Sequence, residues 1–253
     1  MKNLSVIIPS FRSEKLVEIL IRSFEKFKPE TLVIQYIVVE NSEDTSYRDR
    51  ILKLPNVTWL QNEGALSIFD VGNGSDANAS GVEMALEHVS TEYVFICHCD
   101  TCVTSSSFFE EMTRKVDEGY KLIGTSVDPS RIKAIHISGL LADTSLAKSV
   151  SYFPERYNEK VIHDVGDLLT KKCREEQIPH FKFKNTFNNP WLNPVVNEPF
   201  KDFNVDRCLD SNGKVMFMHL GRGIEKTHNT YRKPNRVYLP GWYEFCNRIL
   251  EEN

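Results

Sequence analysis

Three consecutive residues, His98, Cys99 and Asp100, place side chains that can bind a metal ion at the predicted end of a strand. They follow the apolar segment Tyr93–Ile96, whose composition favours a buried β-strand. Because side chains alternate between the two faces of a strand, we expect His98 and Asp100 to point to the same side. An imidazole beside a carboxylate can bind a divalent cation such as Mn²⁺. The alternative is that Asp100 caps the turn or helix that follows the strand.

Three cysteines, Cys97, Cys99 and Cys102, surround this segment and raise the alternative of a zinc site. Cys99 and Cys102 have the Cys-x-x-Cys spacing, but the chain lacks the second such motif that structural zinc sites pair with the first. Since the thiols alternate with His98 and Asp100, we expect Cys97 and Cys99 to fill the core instead. In a chain expected to be cytosolic, the six cysteines should be free thiols.

A pair of acidic residues, Asp164 and Asp167, lies at the start of residues 164–177, a segment predicted to be helical. Residues three apart share one face of a helix, so the two carboxylates should lie close together. The alternative is structural, because carboxylates near the N-terminus of a helix also stabilise its dipole.

The first half of the chain alternates between strand-like and helix-like segments. The spacing of apolar residues predicts an amphipathic helix from Leu16 to Phe27, with Ser13 as its N-cap. Such alternation is typical of an α/β fold with a mainly parallel sheet and helices on both faces. The other predicted elements of this half are strands at Leu4–Ile8, Leu32–Val39, Val57–Leu60, Tyr93–Ile96 and Tyr120–Gly124, and helices at Ala79–Val89 and Ser105–Asp117.

Polar residues follow three of these predicted strands. Ser10 comes after the first strand, Glu40–Ser42 after the second, and His98–Asp100 after the fourth. Ligands bind beyond the carboxyl ends of the strands in parallel sheets, so we expect these residues to converge at one edge. This convergence indicates a ligand site more strongly than any single residue does.

The second half of the chain is less regular. We expect strands within Ile132–Leu141 and a late strand at Val215–Met218 that ends at His219. Residues 184–212 are rich in Asn and Pro, which predicts a loop or lid. Residues 62–75 contain three glycines and predict another long loop.

The chain has 253 residues, enough for one domain with a substantial core. We expect residues 1–125 to form one half of that domain and residues 126–253 the other.

The net charge of −4 argues against nucleic acid as the main partner, since phosphate neutralisation requires a positive surface. The sequence shows neither a signal-peptide pattern nor about 20 consecutive apolar residues. We therefore predict a cytoplasmic protein, for which peripheral contact with a membrane is allowed.

Five segments at the predicted strand ends and helix starts occur in one order along the chain. Their order and spacing resemble the nucleotide-binding half of the family 2 glycosyltransferases, which have the GT-A fold. The resemblance covers residues 1–125 and is weak beyond them. It implies that a nucleoside-diphosphate sugar is the donor substrate. The five segments are Leu4–Phe11, Ile37–Asp44, Asn62–Gly64, Asn78–Ala85 and Tyr93–Asp100.

The resemblance implies roles for the residues at this edge. Glu40 would contact the base or ribose of the donor, whereas without the resemblance it would be a solvated loop acid. Asp76 would lie where the family closes over the nucleotide, and capping a helix is its alternative role. Arg222 would neutralise the diphosphate leaving group, unless it belongs to a solvated basic tail. The residues assigned to the nucleotide in this way are Pro9, Ser10, Phe11, Glu40, Asn41, Asp76, Asn78, Cys99 and Arg222.

The metal motif of the family is Asp-x-Asp, and this chain departs from it because His98 stands at the first acidic position. The resemblance implies that Asp100 binds a divalent ion, Mn²⁺ or Mg²⁺, which bridges the donor diphosphate. We expect His98 and His219 as further ligands. For His219 the alternative is a structural histidine.

The resemblance also places the catalytic base in the acidic pair, and we favour Asp164 over Asp167. The base would remove the proton of an acceptor hydroxyl as it attacks the anomeric carbon, with inversion. The expected acceptor is a glycan or a lipid-linked glycan, in glycan or polysaccharide synthesis. Trp191 would stack on a sugar of the acceptor.

Two other classes of function stay open. Because His98 replaces an acid, the chain could be a nucleotide-sugar binding module without catalysis. A nucleotidyltransferase is less favoured, because Pro9–Ser13 lacks the glycine-rich loop that such enzymes carry after the first strand.

Overall fold

A computed structural model of the chain describes residues 1–64, 74–124, 132–186, 205–221 and 239–251. Its elements, in chain order, are β1 (Asn3–Ser10), α1 (Glu14–Phe27), β2 (Val33–Glu40), α2 (Arg48–Ile51), β3 (Val57–Gln61), α3 (Gly74–Glu87), β4 (Tyr93–Cys97), β5 (Thr101–Val103), α4 (Ser107–Asp117), β6 (Leu122–Gly124), β7 (Gly139–Asp143), α5 (Thr144–Ala147), β8 (Glu155–Tyr157), β9 (Lys160–His163), α6 (Asp167–Glu175), β10 (His180–Lys182), β11 (Lys184–Asn185), β12 (Asp206–Leu209), β13 (Val215–His219) and α7 (Leu239–Glu251).

The central sheet has seven strands in the order β10-β6-β7-β4-β1-β2-β3. Strands β1 to β4 run parallel, β10 is parallel to β6, and β7 is antiparallel to both β4 and β6. The buried strands β1 and β4 are nearly continuous apolar runs, as expected for strands covered on both faces. The predicted α/β class with a mainly parallel sheet is confirmed.

Two apolar clusters fill the two sides of this sheet. On one side, α1, α4 and α7 cover an aromatic group in which Phe24, Phe95 and Phe108 have ring centroids 5.4–5.6 Å apart. On the other side, α3, α5 and α6 pack against Ile7 and Ile96. Neighbouring residues of one strand enter opposite clusters because strand side chains alternate between the two faces.

A smaller antiparallel sheet, in the order β11-β12-β13-β5, begins where β4 ends. Strand β5 starts at Thr101, and its partner β13 runs in the opposite direction, so that His219 pairs with Thr101. The second sheet therefore brings the end of β13 to the end of β4.

The predicted elements of the second half need correction. The helix expected over residues 164–177 begins only at Asp167, because Gly166 adopts a left-handed conformation with φ +80. Gln177, with φ +56, lies just beyond the helix end. Residues 184–212 are not wholly a loop, since they include β11 and β12, which pair with each other.

Smaller differences occur elsewhere. Within the segment 132–141, a strand begins only at Gly139. Ser13 does precede α1, but its hydroxyl donates to Phe11 O at 2.7 Å, so it does not cap the helix. The helix expected from Ser105 starts at Ser107.

Candidate metal centre and active site

Strands β1, β2 and β4 end at one edge of the central sheet, and the polar residues that follow them converge there as predicted. Ser10 at the end of β1 pairs in register with Glu40 at the end of β2. The backbone N–H of Leu220 donates to the carbonyl oxygen of Asp100 at 2.9 Å. This bond ties the end of β13 to the same edge.

His98, Asp100 and His219 form a group of side chains that could hold a metal ion at this edge. One ligand atom of each lies within 4.8 Å of the others. His219 Nε2 lies 3.2 Å from His98 Nδ1 and 3.3 Å from Asp100 Oδ1. An ion with bonds of about 2.0–2.2 Å holds neighbouring ligand atoms roughly 3 Å apart. The three side chains therefore have the donor types and the spacing of ligands to one divalent ion.

His219 is oriented by a partner on the opposite nitrogen of its ring. Strands β12 and β13 pair Asp206 with His219, and Asp206 Oδ2 lies 3.1 Å from His219 Nδ1. Burial alone would lower the pKa of His219, but the carboxylates of Asp100 and Asp206 outweigh it and raise the pKa to about 10. A carboxylate behind a metal-binding histidine commonly fixes the orientation of the ring. This arrangement directs Nε2 of His219 toward His98 and Asp100.

His98 is likewise in contact through both ring nitrogens. Its Nε2 lies 3.2 Å from Asn78 Nδ2 at the start of α3, on the opposite side of the ring from His219. The other amide atom, Asn78 Oδ1, is buried and has no hydrogen-bond partner within the part of the chain that the structure describes. The structure thus brings Asn78, predicted as a nucleotide residue, into the candidate metal centre.

A third histidine, His136, borders this group and was not predicted from the sequence. Its ring centroid lies 5.6 Å from that of His98 and 6.1 Å from that of His219. Its Nδ1 accepts the N–H of Ser138 at 3.1 Å, which leaves the proton of a neutral ring on Nε2. His136 therefore presents a hydrogen-bond donor, and not a second lone pair, on its other side.

Glu40 is fully buried, so it is not a solvated loop acid. Its Oε1 accepts the backbone N–H groups of Arg12 and Ser42, each at 3.0 Å. Its Oε2 accepts the hydroxyl of Tyr47, which also lies 3.2 Å from Ser10 Oγ. Burial and the neighbouring Glu40 raise the pKa of the Tyr47 phenol, so it stays protonated and donates. The carboxylate holds the chain where β1 and β2 end.

Asn41 belongs to a second buried polar group at the same edge. Asn62 Nδ2 donates to Asn41 Oδ1 at 2.8 Å and to Ser80 Oγ at 3.0 Å. Gly81 allows helix α3 to approach, because a Cβ there would lie 3.2 Å from Asn41 Oδ1. These contacts fix the position of α3, and with it Asn78, against β1 and β2.

The other predicted nucleotide residues near β1 and α3 are partly engaged by the protein. Pro9 is buried, and Phe11 is half-buried with the guanidinium of Arg12 5.4 Å from its ring. Asp76 lies in the first turn of α3 and forms a two-pronged ion pair with Arg156, at 2.7 and 3.0 Å. This pair joins α3 to the β8–β9 hairpin.

The acidic pair is divided between two roles. Asp167 is buried, and its Oδ2 accepts the backbone N–H of Asp164 at 2.8 Å, which closes the turn before α6. Asp164 is half-buried, and its Oδ1 accepts the N–H of Val165 at 2.9 Å. The turn packs close to Ile137, because a Cβ on Gly166 would lie 3.0 Å from its side chain. Ile137 follows His136 in the chain, so the turn contacts the residue next to the third histidine.

The cysteines are core residues. Cys97, Cys99 and Cys102 are each at most 2% exposed and belong to the apolar cluster on the α1 side of the sheet. Burial raises the pKa of the Cys99 thiol well above its usual range. All six cysteines are free, as predicted. Cys99, which the family resemblance assigned to the nucleotide, is buried in this cluster.

Two predicted binding residues, Arg222 and Trp191, lie outside the described residues. So does most of the predicted loop at residues 62–75, since the structure describes only its two ends. Across the described ranges, no helix is both long enough and apolar enough to cross a bilayer.

The sequence contains a signal for Asp206, the partner of His219, which was not predicted. Asp210, Ser211, Asn212 and Gly213 form a polar cluster of the kind that joins the two strands of a hairpin. Such a hairpin pairs the residues before it with β13 and places Asp206 opposite His219. Tyr47, His136 and Arg156 carry no comparable signal, because their contacts are made across the tertiary fold.

No protein-family model and no curated protein matches the chain. Among solved structures, the mannosyltransferase PcManGT from Pyrobaculum calidifontis, in complex with GDP-Man and Mn²⁺, is 13% identical and has a TM-score of 0.51, over 71% of this chain and 54% of its own. Glucosyl-3-phosphoglycerate synthase from Mycobacterium tuberculosis, with Mn²⁺ and UDP-glucose, is 15% identical over 72% and 69% of the two chains, with a TM-score of 0.49. TarS 1-349 from S. aureus is 18% identical over 63% of this chain and 52% of its own, with a TM-score of 0.45.

The similarity to PcManGT shows the fold, which is the GT-A type of α/β fold predicted from the sequence. The chain spans about half the length of that mannosyltransferase. Membership of glycosyltransferase family 2 stays a prediction.

Proposed function

We propose that the chain is a glycosyltransferase that moves a sugar from a nucleoside-diphosphate sugar to an acceptor hydroxyl. The observation that carries the proposal is the group of His98, Asp100 and His219 at the carboxyl edge of the sheet. This is the edge at which ligands bind in parallel α/β sheets. A mannosyltransferase of similar fold, solved with GDP-Man and Mn²⁺, supports the assignment.

The donor set fits a divalent ion, because imidazole nitrogen and carboxylate oxygen both bind Mn²⁺-type ions. His98, Asp100 and His219 would hold the ion, which would neutralise charge on the donor diphosphate and so stabilise the leaving group. Asn78 would orient His98, and Asp206 would orient His219. Arg222 would add positive charge near the diphosphate.

Within the nucleotide pocket, Pro9, Ser10, Phe11 and Asn41 would form the wall beneath the base and ribose. Glu40 would act on the nucleotide through the backbone of Arg12 and Ser42, which its carboxylate holds. Asp76 would keep α3 in place through Arg156. The half of the domain formed by residues 1–125 would thus bind the donor, and residues 126–253 the acceptor.

Asp164 is the residue that we propose as the catalytic base. It would take the proton of the acceptor hydroxyl as that oxygen attacks the anomeric carbon, and direct displacement would invert the configuration. The turn that carries it contacts Ile137, the residue after His136, and this supports the role, whereas the buried Asp167 would hold the turn. The acceptor would be a glycan or lipid-linked glycan, in cytoplasmic glycan or polysaccharide synthesis.

A nucleotide-sugar binding module without catalysis is the second candidate. The observation that favours it is His98 at the first acidic position of the metal motif. It predicts that nucleotides bind while donor hydrolysis and sugar transfer are both absent.

Turnover of UDP-, GDP- and dTDP-sugars with Mn²⁺ separates the two candidates. In a transferase, Asp164→Asn should lower the rate by about 10²–10⁴-fold, as expected for loss of a general base, and leave nucleotide affinity unchanged. His219→Ala should instead weaken nucleotide binding. Full activity of Asp164→Asn would overturn the choice of base, and nucleotide binding without any turnover would favour the binding module.

A further inference from the structure

The candidate metal centre contains two imidazoles and one carboxylate, because His98 joins Asp100 and His219. We propose that these three side chains hold a first-row transition ion, of the class of Mn²⁺, Fe²⁺, Co²⁺ and Zn²⁺, before any nucleotide binds, and that Mg²⁺ is not the ion of this site. The inference rests on the proposed function, since it names the ion of that same site.

Ligand chemistry separates the two kinds of ion. Mg²⁺ takes oxygen ligands in a near-ideal octahedron and gives up its waters reluctantly. Imidazole nitrogen suits transition ions, and the affinity of a nitrogen site rises from Mn²⁺ through Fe²⁺ to Co²⁺. Two of the three side chains here offer nitrogen. A site of two histidines and one carboxylate is also the ligand set that proteins use for non-haem Fe²⁺.

The three ligand atoms are already gathered without a nucleotide. The separations of 3.2 Å and 3.3 Å between His219 Nε2 and the other two ligand atoms match neighbouring ligands of one ion. The bond from Leu220 N to Asp100 O fixes the end of β13 against the end of β4. Three protein ligands with a remaining open position are typical of catalytic metal sites. The nucleotide is therefore not needed to complete the set.

Each imidazole also has a partner on the ring nitrogen that points away from the group. Asp206 holds Nδ1 of His219, so Nε2 of that ring is the ligand atom. His98 can bind through Nδ1 only when its proton is on Nε2, which faces the amide of Asn78. The buried Asn78 Oδ1 has no partner among the described residues, and a half-turn of the amide would let it accept that proton. Asn78 is thus a positioning residue for His98.

Titration calorimetry of the metal-free 253-residue chain with Mg²⁺, Mn²⁺ and Co²⁺ tests the inference without nucleotide. We expect Co²⁺ to bind more tightly than Mn²⁺, and both to bind roughly ten-fold or more tightly than Mg²⁺. Visible absorption of the Co²⁺ form should show nitrogen ligation. Equal affinity for Mg²⁺ and Mn²⁺, or no binding of any ion without nucleotide, would overturn the inference.

Single substitutions test which side chains cause the preference for transition ions over Mg²⁺. His98→Asp restores two carboxylates and should narrow the gap between Mn²⁺ and Mg²⁺ while weakening Co²⁺ binding. Asp206→Asn should lower Co²⁺ affinity by about 10–100-fold, as for other residues that orient metal-binding histidines. His88→Ala, which changes an exposed histidine just after α3, is the matched control and should have no effect. An unchanged preference in a folded His98→Asp protein would show that His98 is not a ligand.

Titration of UDP and GDP in the presence of each ion separates this inference from the proposed function. Equal nucleotide binding with Mg²⁺ and Mn²⁺ would overturn the ion preference and leave the transferase proposal intact. Tight Co²⁺ binding with no affinity for UDP, GDP or dTDP would retain the ion site and overturn the proposed function.

Discussion

Two polar groups at the same edge of the sheet differ in how far the protein itself satisfies them. The buried carboxylate of Glu40 accepts two backbone N–H groups and the hydroxyl of Tyr47. In the group around His98, three side chains that could hold a metal ion lie close together, and a buried oxygen of Asn78 has no partner within the described ranges. Buried polar groups are normally paired. The Glu40 group is therefore complete without a ligand, whereas the His98 group has the properties of a binding site.

The comparison separates the residues that shape the pocket from those that do chemistry in it. Arg12 has φ +48, a left-handed conformation that is uncommon for residues with a side chain, and its N–H bonds to Glu40. Glu40 therefore stabilises an unusual turn at the end of β1. We expect changes in this group to affect stability first, and changes in the His98 group to affect ion binding first.

The largest effect should follow Glu40→Ala. The change leaves the N–H groups of Arg12 and Ser42 without their acceptor. The hydroxyl of Tyr47 loses the carboxylate and keeps only its contact with Ser10 Oγ. Each unsatisfied group costs about 1–3 kcal/mol, so the free energy of unfolding should fall by about 3 kcal/mol or more. Denaturant unfolding followed by circular dichroism measures this loss. A fall below about 1 kcal/mol would contradict a structural role for Glu40.

His98→Ala should have the opposite effect to Glu40→Ala, with a large loss of ion affinity and a small loss of stability. Loss of one of three ligands should weaken Mn²⁺ or Co²⁺ binding by about 10–100-fold, the scale seen when metal sites lose a supporting group. The free energy of unfolding should change by less than about 1 kcal/mol, since the residue is half-buried and outside the apolar clusters. Calorimetry and denaturant unfolding on one preparation measure both. Unchanged ion affinity with a large loss of stability would reverse the comparison.

Tyr47→Phe tests the Glu40 group without removing its charge. The variant keeps the edge-to-face contact of the ring with Trp59, at 5.1 Å, but leaves Glu40 Oε2 without its donor. We expect a loss of about 2 kcal/mol in the free energy of unfolding, in line with an unsatisfied buried acceptor. Ion affinity should be unchanged, and a parallel fall in ion affinity would mean that the two groups are coupled.

The smallest effect should follow Ser80→Ala. Asn62 Nδ2 loses one of its two acceptors and keeps the bond to Asn41. A loss of about 1 kcal/mol is expected for one neutral hydrogen bond. Thermal unfolding of Ser80→Ala and Tyr47→Phe compares the stability that each variant loses. A larger loss of stability in Ser80→Ala would show that the Asn41 group matters more than the Glu40 group.

The sequence predicted the first half of the fold better than the second for a physical reason. Strands β1, β2 and β4 are long or fully apolar and end at polar residues, so their pattern is visible locally. Strands β11 and β12 have two and four residues, and each is defined by a partner elsewhere in the chain. Runs of this length carry little periodicity, so the segment resembled a loop.

The residues of the candidate site also differ in whether their roles could be predicted from the local sequence. His98 and Asp100 were predicted from their place at the end of a strand, and His219 from the family resemblance. The structure brings the three together. The role of Asp206 depends on strand register, and that of Tyr47 on a contact across the loop after β2. The burial of Glu40 could not be inferred from its position after an apolar strand, where a solvated acid fits equally well.

Nucleotide binding with and without an ion tests the central claim most directly. Isothermal titration of the chain with UDP, GDP and dTDP, in chelator and then in Mn²⁺, measures pocket and ion together. We predict that at least one nucleoside diphosphate binds in the presence of Mn²⁺. Its affinity should fall by tenfold or more, which corresponds to about 1.4 kcal/mol, when chelator replaces Mn²⁺ or when His219 is changed to Ala. Equal affinity under all three conditions, or no binding of any of the three nucleotides, would contradict the account.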